Sequence, residues 1–93
     1  MTEDKKNLIP SSKAIMKEVV AVIRDAGGRC RAPNMDRMLQ ERLGVSTELS
    51  LIRHKEGANR TEFQYRSAWA RTYCKKQGLI VRDSDGNWIL SKI

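Results

Sequence analysis

Histidine occurs once in this chain, cysteine twice, proline twice and phenylalanine once. A single histidine, His54, with no paired carboxylates on a shared face and no clustered ligands, argues against metal-assisted or acid–base catalysis. The two cysteines, Cys30 and Cys74, stand far apart with no metal-ligand spacing, so they read as buried free thiols and not as a disulfide or a metal site. No apolar run approaches membrane-spanning length, and the lysines near the N-terminus are not followed by the apolar stretch of a secretion signal. A reducing cytoplasm is the expected setting. No cofactor is expected, and no internal repeat or low-complexity segment breaks the chain.

What is abundant is positive charge. Over 93 residues the formal net charge is +7, and the sequence pI is about 9.9. A surplus of that size in a short chain favours an acidic partner such as nucleic acid or anionic lipid. Apolar residues make up 40% and charged residues 31%, a globular balance with room for one modest core. The surplus is not spread evenly. Arg53, Lys55, Arg60, Arg66, Arg71, Lys75 and Lys76 face only Glu56 and Glu62 between residues 53 and 76.

That surplus coincides with the longest helix-like run, Asn59 to Leu79. Asn59 with Glu62 three residues on, or Thr61 with Gln64, can form a capping box. At 100° per residue, Phe63, Ala70, Tyr73 and Cys74 share one side and are expected in the core. The opposite side carries Thr61, Gln64, Tyr65, Ala68, Thr72 and Lys75, flanked by Arg71 and Lys76. It is nearly free of acid, whereas a merely solvated helix face usually mixes both signs. Arg66 falls toward the core, where it must be paired or reach out along its stem. It reads as structural, bridging to an acid elsewhere. Trp69 and Trp88 read as packing residues rather than platforms for bases.

The remaining segments read as support. Residues 1–10 are expected as a flexible tail, with 11–93 as the domain. Ser11 or Ser12 caps a helix whose Ile15, Met16, Val19, Val22, Ile23 and Ala26 recur at helical spacing until Gly27-Gly28 stops it. Arg29 to Arg31 reads as a short strand. Asn34 caps a second helix with Met35, Met38, Leu39 and Leu43 on its core stripe, and Ser46 starts a short helical piece. Arg53 to Ala58 is a basic loop. Leu79 to Arg82 and Asn87 to Ser91 form two strands around Asp83-Ser84-Asp85-Gly86, a hairpin turn signal. The turn lacks the later ligands and closing glutamate of a calcium loop. The expected class is α+β: a winged helix-turn-helix with three main helices, a C-terminal two-stranded wing and a short first strand. In that layout the third main helix enters the major groove.

One resemblance joins this reading. Phe63, Arg66, Trp69-Ala70, Tyr73, Lys75-Lys76 and Gly78-Leu79, then Gly86, Trp88 and Ile89, resemble the N-terminal winged-helix domain of Mrr-type restriction proteins. That family reads roughly F-x-x-R-x-x-W-A-x-x-Y-L-K-K-x-G-L followed by G-x-W-x-[IL]-T. Cys74 stands at a usual leucine and Ser91 at a usual threonine. The motif covers about a third of the chain, and the first half matches by layout alone: an apolar helix, a Gly-Gly break and a helix ending in Leu-Gly-Val-Ser. The resemblance implies a bacterial target-recognition module attached to a nuclease domain or subunit. No Asp followed by a Glu-x-Lys pair on a plausible strand is found; Glu3-Asp4-Lys5 lies in the tail. The expectation is a recognition module cut from a longer protein, or one acting alone.

The expected ligand is double-stranded DNA. Thr61, Gln64 and Tyr65 would approach base edges, Gln64 pairing bidentately with adenine. Arg53, His54, Lys55, Arg60, Arg71, Lys75 and Lys76 would hold phosphates, and Arg82 would do so from the wing. Two alternatives stand beside it: a protein-interaction or homodimerisation module using Tyr65 and Ala68, and a small transcriptional regulator.

Overall fold

The computed structural model describes residues 5–91. Helix α1, Ser12–Asp25, begins where the Ser11 hydroxyl accepts the amide of Ala14 at 3.1 Å. Its 3.6-residue period buries Ile15, Val19, Val22 and Ile23. Gly27 and Gly28, at φ 93° and 101°, then turn the chain through a region that side chains with a Cβ avoid. Strand β1, Arg29–Cys30, follows. Helix α2, Ala32–Arg42, starts two residues before the expected Asn34 cap. Arg31 is its N-cap, and Pro33 lies in the first turn, where an amide would have no intrahelical acceptor. Helix α3, Thr47–Ser50, is capped by Ser46, and helix α4 spans Glu62–Lys76.

Strands β2, Ile80–Arg82, and β3, Trp88–Leu90, form the expected hairpin. The short first strand is not separate from it. The sheet is three-stranded and antiparallel in the order β1-β3-β2, with Cys30 opposite Trp88 and Ile80 opposite Leu90. Pairing β1 with the central β3 anchors the start of α2 beside the C-terminal turn. That turn is held by the Asp83 carboxylate, which accepts the amides of Asp85 and Asn87, each at 2.9 Å. The Asn87 amide in particular holds the Asp83 carboxyl below its usual range. The fold is therefore α+β, with four helices and one small sheet among the described residues.

One core joins these elements. Helix α4 packs along α1 and reaches α2, α3 and β2. Phe63, Ala70 and Cys74 meet Ile15, Val19, Ile23, Met35, Leu39 and Ile80 there. Both cysteines are buried free thiols. Burial raises the pKa of each, which suits small apolar fillers.

Three expectations change. Tyr73 was placed in the core by the helical wheel, but it is 42% exposed. It lies at the margin of the buried stripe and leans against Trp69, itself 41% exposed, with ring centroids 5.8 Å apart. Trp69 is thus not a packing residue, whereas Trp88 is. Finally, Lys5 to Pro10 is not loose. Ile9 is 3% exposed within the core, and Arg66 donates to the carbonyls of Lys6 and Ile9 at 3.2 and 2.8 Å. Residues 1–4 of the expected tail lie outside the described ones.

Candidate nucleic-acid interface

Helix α4 begins with a complete capping box. The Thr61 hydroxyl accepts the Gln64 amide at 3.1 Å, and the Gln64 side-chain oxygen accepts the Thr61 amide at 3.0 Å. Thr61, and not Asn59, is therefore the cap. The arrangement also occupies the oxygen that bidentate pairing with adenine would use. The Gln64 nitrogen remains on an exposed side chain.

Just inside the helix lies an ionic cluster. Glu62, only 6% exposed, accepts from His54 Nδ1 at 2.9 Å and Arg66 Nε at 2.6 Å, and Lys6 Nζ lies 3.8 Å away. Burial alone would raise the Glu62 carboxyl, but the hydrogen bonds from His54 and Arg66 and their charges outweigh it and hold the pKa below its ordinary value. Arg66 is structural, as its helical angle implied, and its acid is one turn away on the same helix. His54 stacks on Tyr65 with ring centroids 3.7 Å apart and 14° between planes. Both residues were expected at the ligand, and both are engaged within the protein.

A second network holds Arg71. Its guanidinium donates to Asp36 at 2.7 Å and to Ser67 Oγ at 2.9 Å, and the residue is 8% exposed. Ser67 also donates to Asp36. Arg71 is thus buried in a network within the protein, and not exposed on the helix surface where it was expected. It shares its helix side with Ser67, one turn earlier, and that side faces α2. The i,i+4 spacing of Ser67 and Arg71 was the available signal; Asp36, from another helix, was not inferable.

The remaining expected residues are at the surface. Gln64, Lys75 and Lys76 are exposed on α4, with Ala68 and Thr72 half-buried between them. Glu62 is the sole carboxylate within α4, and it is turned inward, so the outward face of the helix carries none. Arg53, Lys55 and Arg60 are exposed on the loop before α4. That loop is pinned: Arg53 donates to the Ala58 carbonyl, His54 N donates to Arg60 O at 3.0 Å, and Arg53 pairs with Thr61 as an isolated bridge. A cleft of about 750 Å³ beside it mixes Lys6, Arg53 and Lys55 with Glu48 and Glu56. Arg82 lies over the Trp88 ring, 4.9 Å from its centroid, with its side chain still exposed. Lys75 and Lys76 are thereby grouped on one helix end, while Arg82 stands apart on the sheet.

Among the described residues no group of three potential ligands could hold a metal ion, and no helix is long and apolar enough to cross a membrane. The family model of the Mrr N-terminal domain matches residues 3–93. No curated protein and no solved structure matches the chain.

Proposed function

Because the chain belongs to the Mrr N-terminal domain family, we propose that it is a restriction-related recognition module that binds double-stranded DNA through a winged helix. In this reading α2 and α4 are the helix pair, α4 lies in the major groove, and the β2–β3 hairpin is the wing. The observation that carries it is the outward face of α4. Its one acid is buried and bonded to Arg66 and His54, so Gln64, Ala68, Thr72, Lys75 and Lys76 present donors and positive charge with no opposing carboxylate among the described residues. Like charges left without local partners favour a polyanion.

The roles then divide. Lys75 and Lys76 hold phosphates at the C-terminal end of α4, Arg53, Lys55 and Arg60 do so from the loop before it, and Arg82 from the hairpin. Thr61 and the free nitrogen of Gln64 meet base edges. Arg66, Arg71 and His54 set the shape of the module and touch no DNA. Nuclease chemistry belongs to a separate domain or subunit.

A second reading has its own observation. Trp69 and Tyr73 form an exposed aromatic pair on the side of α4 away from α2, and exposed aromatics suit a protein partner. Fluorescence anisotropy with labelled duplexes, modified and unmodified at cytosine or adenine, separates the two. The DNA reading expects affinity that falls steeply between two salt concentrations. Absence of binding at low salt would transfer the function to the aromatic pair.

A further inference from the structure

A second basic cluster lies where β1, the start of α2 and the hairpin turn meet. Arg29, Arg31 and Arg37, with Asn34 and Asn87, line a depression of about 270 Å³. Among the described residues no carboxylate lines it. All three arginines are exposed, and among the described residues none has an acid within ion-pair distance. Two acids lie near the cluster: Asp36, and Asp83, whose carboxyl is held down chiefly by the Asn87 amide and also by the Arg29 charge. Asp36 is held by Arg71 and Ser67, and Asp83 accepts the amides of its own turn.

The fold assembles this cluster from three elements. Cys30 points into the core opposite Trp88, so the alternation of β1 turns its neighbours Arg29 and Arg31 outward. Arg31 is the N-cap of α2 and makes no side-chain cap, leaving the first-turn amides of that helix beside the arginines. Pairing of β1 with β3 brings Asn87 across from the hairpin. Three guanidinium groups sharing one depression repel each other, and a bound anion removes that cost. The fork of each guanidinium matches phosphate oxygens, and helix amides add to the match.

Arg37 decides which phosphate. It also lines a second depression with Asp36, Gln40, Ser50, Thr61 and Gln64, at the start of α4, where the Asp36 carboxylate is held by Arg71 and Ser67. The cluster is therefore continuous with the proposed groove-facing end of α4. We infer that Arg29, Arg31 and Arg37 bind the phosphodiester backbone of the same DNA duplex that α4 engages, extending the contact across α2 to the hairpin. This rests on the DNA reading above.

The test is anisotropy on a labelled duplex of about 20 base pairs, two helical turns, over a salt series. The proteins are wild type, an Arg29→Ala/Arg31→Ala/Arg37→Ala triple variant, the corresponding triple lysine variant, and Lys75→Ala/Lys76→Ala. Thermal unfolding is followed in parallel. The alanine triple should lose roughly tenfold or more in affinity and reduce the salt slope by about two to three, alike for different sequences. Its melting temperature should stay near wild type, and the lysine triple should keep most of the binding. An alanine triple that binds with wild-type affinity and slope, while Lys75→Ala/Lys76→Ala weakens, overturns the inference and leaves the DNA reading standing. Wild type that binds no duplex at low salt overturns both.

Discussion

Arg71 and Lys75 stand one turn apart on α4, and they have opposite fates. Arg71 is turned into the protein, locked to Asp36 and Ser67. Lys75 stands in solvent with no acid beside it among the described residues. The same contrast runs the length of the helix: Arg66 is spent on Glu62 and two backbone carbonyls, while Lys76 is exposed with no ion-pair partner among the described residues. A basic helix is therefore two populations. One set of cations builds the module, and the other is left for a partner.

The sharpest way to break that division is to remove a builder. Arg71→Ala should destabilise the domain by about 3 kcal/mol, because it leaves the Asp36 carboxylate largely buried and unpaired. Denaturant unfolding measures this, and the duplex affinity of the folded fraction should be unchanged. A mutant of wild-type stability with weakened DNA binding would put Arg71 in the other set.

Glu62→Gln should cost about 2 kcal/mol, since His54, Arg66 and Lys6 lose their shared acceptor charge. It carries a pH signature as well. The folded-state carboxyl lies below its ordinary 4.5, so its contribution is complete above that pH and is lost as pH falls through the depressed value. Wild type should lose stability on acidification in that range, and the glutamine variant should lose less. Equal acid sensitivity of the two proteins would remove Glu62 from the account.

Ligand-side changes should show the reverse pattern. Lys75→Ala/Lys76→Ala should move stability by no more than about 0.5 kcal/mol, while weakening all duplexes alike and lowering the salt slope by about two. The smallest effect is expected from Gln64→Ala. Loss of half the capping box should cost about 0.5 kcal/mol, and preference among duplex sequences should change more than overall affinity.

Much of the architecture could be read from local pattern. The stripes of α1 and α2, the Gly27-Gly28 stop and the Asp83–Gly86 turn are each specified within a few residues. Sequence also made Arg66 structural, because a helical angle is a local property. Local pattern fails where a partner comes from elsewhere in the chain. Asp36 captures Arg71, His54 returns from a loop to stack on Tyr65, and Ile9 enters the core from a stretch without helical or strand periodicity. Tyr73 fails differently: a wheel divides a helix into two sides, whereas α1 covers only part of the apolar one. The likeness of residues 63–91 to the Mrr motif identified the family, and no such motif separates free cations from engaged ones.

The most direct test of the central claim is a titration of the isotope-labelled protein with a short duplex, followed residue by residue through amide chemical shifts at low salt. Binding through the free cations predicts shifts concentrated at Gln64, Ala68, Thr72, Lys75 and Lys76, reversed by added salt, with the Trp69 and Tyr73 side quiet. Shifts confined to Trp69 and Tyr73, or none at all, would contradict it.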